Sequence, residues 1–287
     1  MLDTAPDAKK FVMNYLSDLE DDSKIAKFLN DPGKNPDSSS KEDIIALKAI
    51  NAQHVRTAIM VAHRTWGVGD DYRKFVKFAV KFFFRYRTIC GGHPGTLDTW
   101  TMEICEAINS GKGVNNIIQN LKEKIDNHRE TTEEEFLDKF ENFDSKSDST
   151  CRYILEELER AYGGNMSDLR PVDDITLEHI LPKKYDKEWN KDGFFDGYTG
   201  SLTHRHKKDM EIFVHKIGNM TLLKGIDNSA LQNKDFPTKK NHLVNGYTRS
   251  DLNITKQTVV NNDKWTATII EQRQKEFREK AKEVWAL

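Results

Sequence analysis

Glu178-His179-Ile180-Leu181-Pro182 sets a carboxylate directly before an imidazole, and the proline three residues later fixes the exit of the chain. Neutral imidazole has an ordinary pKa of about 6.5, close to working pH, so His179 has the chemistry of a general base. Downstream, His215 precedes Gly218-Asn219, and Asn228 follows nine residues after Asn219. Carboxylate and amide oxygens are hard donors that suit Mg²⁺ or Mn²⁺ better than thiolates would. Cys90, Cys105 and Cys151 are widely spaced and form no CxxC pair. Neither a disulfide framework nor a structural zinc site is therefore expected, and the three read as buried apolar fillers.

These residues need elements that bring them together. Asp174 to Leu181 is short, β-branched and ended by Pro182, as a strand would be. Phe213 to Leu223 reads as a second strand, reached through a long stretch rich in Lys, Gly and aromatic residues. Asp227 is placed to cap a short helix beginning at Asn228. Trp265, Ile269, Ile270, Arg273, Phe277, Ala281, Val284 and Trp285 then describe an amphipathic closing helix. Neighbours on a strand point to opposite faces, so Glu178 and His179 share a site only if the strand ends or bends between them. Pro182 and the loop after it are expected to supply that bend.

The first 170 residues read as helical. Tyr72, Phe75, Val76, Ala79, Phe82, Phe83 and Tyr86 recur at three- and four-residue steps, the stripe of a core helix between Gly69-Asp70 and Gly91-Gly92. Asp43 to Thr65 reads as one helix, and Asp31 to Ser40, with two prolines and three serines, as a loop. Leu97 to Ser110, Val114 to Asn127, Glu133 to Phe140 and Ser149 to Ala161 carry helical spacing. Gly163-Gly164 and Arg170-Pro171 mark the boundary, giving a helical scaffold over 1–168 and a second domain over 169–287.

EHILPK (Glu178 to Lys183), HKIGNMTLL (His215 to Leu223), DNSALQNKDFPTKK (Asp227 to Lys240) and the closing Trp265, Ile270, Arg273, Trp285 series resemble the HNH, or ββα-metal (His-Me finger), nucleases. They resemble most closely the C-terminal nuclease domain of GmrSD-type modification-dependent restriction proteins. FFFRYRTICGG (Phe82 to Gly92) and RYILEELE (Arg152 to Glu159) look like the helical region preceding that nuclease. The implied fold is α+β, mostly α: an N-terminal helical bundle, then a ββα-metal (HNH) nuclease domain with a closing C-terminal helix. The resemblance implies a metal-dependent DNA endonuclease in restriction and phage defence. His179 would be the general base, Glu178 and Asn228 the ligands of one Mg²⁺ or Mn²⁺, and Asn219 the amide that holds the His-bearing segment. His215 is expected behind the base, and Asn233 either at DNA or at a helix stop. The N-terminal NTPase-like domain of that family has no counterpart in this sequence and is an expected partner, so the chain reads as a C-terminal fragment or a short relative. Gly91-Gly92-His93-Pro94-Gly95 lacks the Lys-Ser/Thr of a phosphate loop, and nucleotide binding is not expected.

The net charge of -2, from 44 Lys and Arg against 46 Asp and Glu, hides an asymmetry. Residues 1–170 hold 24 basic and 29 acidic residues, and 171–287 hold 20 and 17. The second half is thus the side expected to meet double-stranded DNA, modified phage DNA included, since phosphate contacts come from Lys and Arg. The expected contacts are Lys183, Arg205, Lys207, Lys208, Lys239 and Lys240, with His204 to Lys208 on a loop. Arg273 reads as a buried structural cation. Only 37% of residues are hydrophobic and 31% are charged, and no apolar run approaches a bilayer span or a signal-peptide core. A cytoplasmic protein with no membrane partner is expected. The alternative reading is a non-catalytic module that binds nucleic acid and docks a partner.

Overall fold

The computed structural model describes residues 5–35, 37–166, 175–185, 189, 193–195, 198 and 201–287. Arg170-Pro171, Asp174 and the expected 168/169 boundary lie outside them. The chain forms two compact units, Met1–Thr132 and Glu133–Ala286.

The first unit is helical: α1 (Ala5–Asn30), α2 (Ser38–Ala49), α3 (Arg56–Trp66), α4 (Asp70–Phe83), α5 (Pro94–Asn109) and α6 (Val114–Asp126). The stripe expected from Tyr72 to Phe83 is buried along α4, and a π-helical turn over Phe84–Ile89 carries it on to Tyr86. The single helix expected over Asp43 to Thr65 is instead two. Asn51 adopts φ 55, and this turn lets Ile50, Ala52 and Val55 all face the core, which an unbroken helix would not allow. The expected loop over Asp31 to Ser40 is structured as well. Pro32–Lys34 forms a 3₁₀ turn, and α2 starts at Ser38 with Asp37 accepting from the Ser39 amide and pairing with Arg73.

The second unit is built from α7 (Glu133–Glu141), α8 (Asp148–Ala161), β1 (Ile175–His179), α9 (His204–His215), β2 (Met220–Lys224), α10 (Gly225–Leu231), α11 (Phe236–Asn241), α12 (Asn253–Thr258) and α13 (Ala267–Val284). Its fold is α+β and mostly helical. Helices α7 and α8, expected in the scaffold, belong here because α13 packs on both. Trp285 stacks near Phe140 and Tyr153, and its indole donates to the Tyr153 hydroxyl at 3.0 Å. Glu159 of α8 accepts from the amides of Asn253 and Ile254 at the start of α12. The division therefore falls before α7, well ahead of the Gly163-Gly164 turn.

Strands β1 and β2 pair antiparallel, with Glu178 opposite Thr221 and His179 opposite Met220. The strand expected over Phe213 to Leu223 is only half a strand. Met210 and Val214 lie four apart on one buried face, so Phe213 to His215 close α9, and a 3₁₀ turn over Ile217–Asn219 leads into β2. His204 to Lys208 are the first turns of that helix rather than a loop. Thr203 caps it, accepting from the His206 amide while the His206 ring accepts from the Thr203 amide. Helix α10 begins at Gly225, before the expected Asn228. Ile180, Leu181, Met210, Val214, Leu223, Trp265 and Ile270 share one core under the sheet.

Gly218 sits in the turn before β2, tight against α13. A Cβ there would collide with the backbone carbonyl of Ile270 and the side chain of Gln274. Gly218→Ala is expected to destabilise the protein by about 1–3 kcal/mol, the range for overpacking, seen as a lower urea midpoint at unchanged slope.

Candidate functional site

Strand alternation sends Glu178 and His179 to different neighbours. Glu178 is buried, and its Oε1 accepts from Lys239 Nζ at 2.7 Å and from the Tyr247 hydroxyl at 2.8 Å. Lys239 is fully buried and also donates to the carbonyls of His179 and Ile180 at 3.0 and 3.1 Å. Its three ammonium protons thus each have an acceptor. Burial pushes the Glu178 carboxyl up and the Lys239 ammonium down, against the pull of their mutual attraction. Lys239 is therefore not a phosphate contact: the side chain has neither solvent access nor a spare proton. The expected bend does not bring Glu178 round to join His179 either.

His179 occupies the other side of the strand end. It is 9% exposed, and Nε2 is buried with no hydrogen-bond partner among the described residues. Its ring meets His215 edge-on, with centroids 6.4 Å apart. Burial first, and then the nearby Lys183 ammonium, lower its pKa to about 4. At neutral pH the ring is uncharged. His215, last residue of α9, is held by its carbonyl, which accepts from the Ser145 amide at 3.0 Å. Its pKa is lowered too, by burial and by Lys146 and Lys183. Lys183 pairs with Asp148 of α8 at 3.1 Å. The segment from Ser145 to Asp148 was not expected near the base; it lies about thirty residues before β1 in sequence and only packing brings it there.

Asn219 is completely buried and uses its whole amide. Oδ1 accepts from the Leu181 amide at 2.8 Å and the Trp265 indole at 2.9 Å, and Nδ2 donates to the carbonyls of Leu181 and Val214. It has no group left to touch substrate, so a catalytic role for it means positioning. Arg273 braces the same turn, donating to the carbonyls of Gly218 and Met220 and to Thr258 Oγ1. Asn228 donates from Nδ2 to Thr176 Oγ1 and the Leu177 carbonyl at 3.0 and 2.9 Å.

Of the pair expected to hold a divalent ion, Asn228 is tied through Nδ2 to Thr176 and Leu177, while Glu178 gives Oε1 to Lys239 and Tyr247, so the carboxylate already has a cation of the chain's own. Among the described residues no three His, Cys, Asp or Glu side chains converge as a metal-binding group. Other expected residues are dispersed. Arg205, Lys207 and Lys208 are exposed on α9, and Lys183 is half-exposed beside Asp148. Lys240 is tied to the Asn262 carbonyl and Asp263. Asn233 is exposed just beyond Gln232, whose φ of 45 ends α10, so it stands at the helix stop. No helix among the described residues is long and apolar enough to cross a membrane.

Residues 130–280 match the family described as GmrSD restriction endonucleases, C-terminal domain. The match covers more than half of the 287 residues, and the chain belongs to that family. Its start coincides with the beginning of the second unit rather than with the Gly163-Gly164 turn. No curated protein matches the chain.

His179 is expected to titrate near pH 4 by ring NMR. The unfolded chain would protonate it at about 6.5, so between these values the unfolded state binds more protons and stability falls as pH falls. The loss attributable to this ring is roughly 3 kcal/mol across the window, and unfolding of His179→Asn against wild type at pH 7 and pH 4 measures it.

Proposed function

We propose that the chain is a DNA endonuclease that hydrolyses phosphodiester bonds with His179 as general base. Membership of the GmrSD restriction endonuclease C-terminal family supports the reaction class. The observation that carries the residue assignment is the buried, unpartnered Nε2 of a His held neutral at working pH. A neutral imidazole nitrogen with no partner of its own can take the proton of an attacking water, and its place at the strand end beside His215 and Lys183 sets it apart from the other unpartnered atoms.

The rest of the second unit serves that nitrogen. Asn219 fixes the backbone at the β1 exit, and Arg273 braces the turn that carries Asn219. His215, Lys183 and Lys146 line the same wall, where positive or proton-donating groups would offset charge developing on the phosphate. Arg205, Lys207 and Lys208 project from α9 and would follow the phosphate backbone without reading sequence. The substrate is double-stranded DNA, nicked or cut, in a modification-dependent restriction system whose NTPase-like part is a separate domain or subunit. No step is assigned to a divalent ion, because the carboxylate expected to bind it already has an ammonium.

Plasmid cleavage with Mg²⁺ or Mn²⁺ in the buffer tests the assignment. His179→Ala should lose about 10²–10⁴-fold in rate, the range for removing a general base. Equal rates would remove His179 from the chemistry, and DNA binding with no cleavage by wild type would favour a non-catalytic module. Lys207→Ala with Lys208→Ala should weaken binding on any DNA sequence. The slope of log affinity against log salt should fall by about one per lost phosphate contact.

A further inference from the structure

We infer that Lys239 is the positioning residue of the general base, its tethered ammonium filling the place at Glu178 that a bound cation would otherwise take. This rests on His179 being the base proposed above. The surroundings of Nζ are an oxygen cage: the carboxylate of Glu178 at 2.7 Å, the carbonyl of His179 at 3.0 Å and that of Ile180 at 3.1 Å. The Trp189 ring closes the cage with its centroid 5.8 Å away. Oxygen donors of this kind would suit a hard cation, and the chain delivers one from its own α11.

Two of the three acceptors are main-chain carbonyls of the residue that carries the base and of the residue after it. They satisfy the two ammonium protons that Glu178 leaves over, and in doing so they tie the cation to the backbone that carries the base. Asn219 holds the next step of the same stretch: its carbonyl accepts from the Ile180 amide at 3.0 Å, and its side chain pairs with both the amide and the carbonyl of Leu181. The backbone from His179 to Leu181 is thus tied at every residue, at Ile180 by both partners, and the base is carried on backbone that cannot rotate freely. Tyr247, fully buried, orients Glu178 within the cage through its hydroxyl. Lys239 itself is placed by the short helix α11, whose Asp235 cap accepts from the Thr238 amide and whose Phe236 packs on Trp265 and Tyr247.

Two arms test the inference. In the first, Glu178→Gln combined with Lys239→Met removes both charges together, so no buried ion is left alone, while Tyr247 can still donate to the new amide. The double variant should lower kcat about 10²-fold at unchanged KM, the scale set by misplacing a reacting group by about an ångström. Thermal unfolding of the same sample shows that the loss does not follow the folded fraction. A wild-type kcat in the double variant, or a loss equal to the unfolded fraction, overturns the inference. The second arm needs no cleavage and holds even if the double variant fails to fold. Mn²⁺ binding, read from the free-ion electron paramagnetic resonance signal, should be the same for wild type and Glu178→Gln, whether or not wild type binds the ion. Loss of a stoichiometric Mn²⁺ site on Glu178→Gln overturns the assignment. Absence of cleavage by wild type would sink the nuclease reading and leave this second arm to decide the role of Lys239.

Discussion

The side-chain amide of Asn219 is the joint on which the second unit turns. It is fully buried and makes four hydrogen bonds, to the exit of β1, to the end of α9 and to the indole that precedes α13. These three segments also share one hydrophobic core, and the amide fixes how they meet in it. An amide so placed is costly unless every donor and acceptor is used, and here each is. Arg273 then fixes the peptide groups flanking Asn219, although burial pushes its pKa down to about 9. It remains a cation at neutral pH, held by carbonyls and packed over the rings of Trp265 and Phe277. The same amide that joins three core segments therefore also holds the backbone just past His179.

Charge in the second unit is sorted by depth. The excess of basic residues in the second half of the sequence does not form one uniform surface. Lys239 and Arg273 are spent inside, on carbonyls and one carboxylate, and Lys240 is neutralised at its rim. Arg205, Lys207 and Lys208 on α9 remain in solvent. The wall beside His179 is mixed, Lys183 and Lys146 against Asp144 and Asp148, so the local potential is moderate and the low pKa of the imidazole comes chiefly from burial.

Much of this was legible in the sequence where local spacing carries the information. The α4 stripe follows from period, and Glu178-His179 close a strand within the stretch expected from Asp174 to Leu181, whereas Asn219, expected inside a strand, ends the turn before β2. Legibility failed where long-range packing overrides local preference. Phe213-Val214-His215 has the β-branched and aromatic look of a strand, yet Met210 and Val214 need one face and draw the segment into α9. Helices α7 and α8 read like those before them, and the docking of α13 on both, with the contacts of α8 to the strands and α12, assigns them to the second unit. Lys239 looked like a surface lysine because nothing local marks a charge whose partner lies sixty-one residues away.

The period of a strand also explains why Glu178 and His179 part company. Two neighbours on β1 cannot aim at one point while the strand stays paired, and pairing with β2 continues through His179 opposite Met220. If His179 faces the wall with His215, Glu178 must enter the core, where an ionised carboxylate needs a counter-charge. Lys239 provides it, and its two spare protons then fall on the nearest carbonyls, which are those of His179 and Ile180. The constraint that removes Glu178 from the open side of the site is thus the same one that places a cation behind the base.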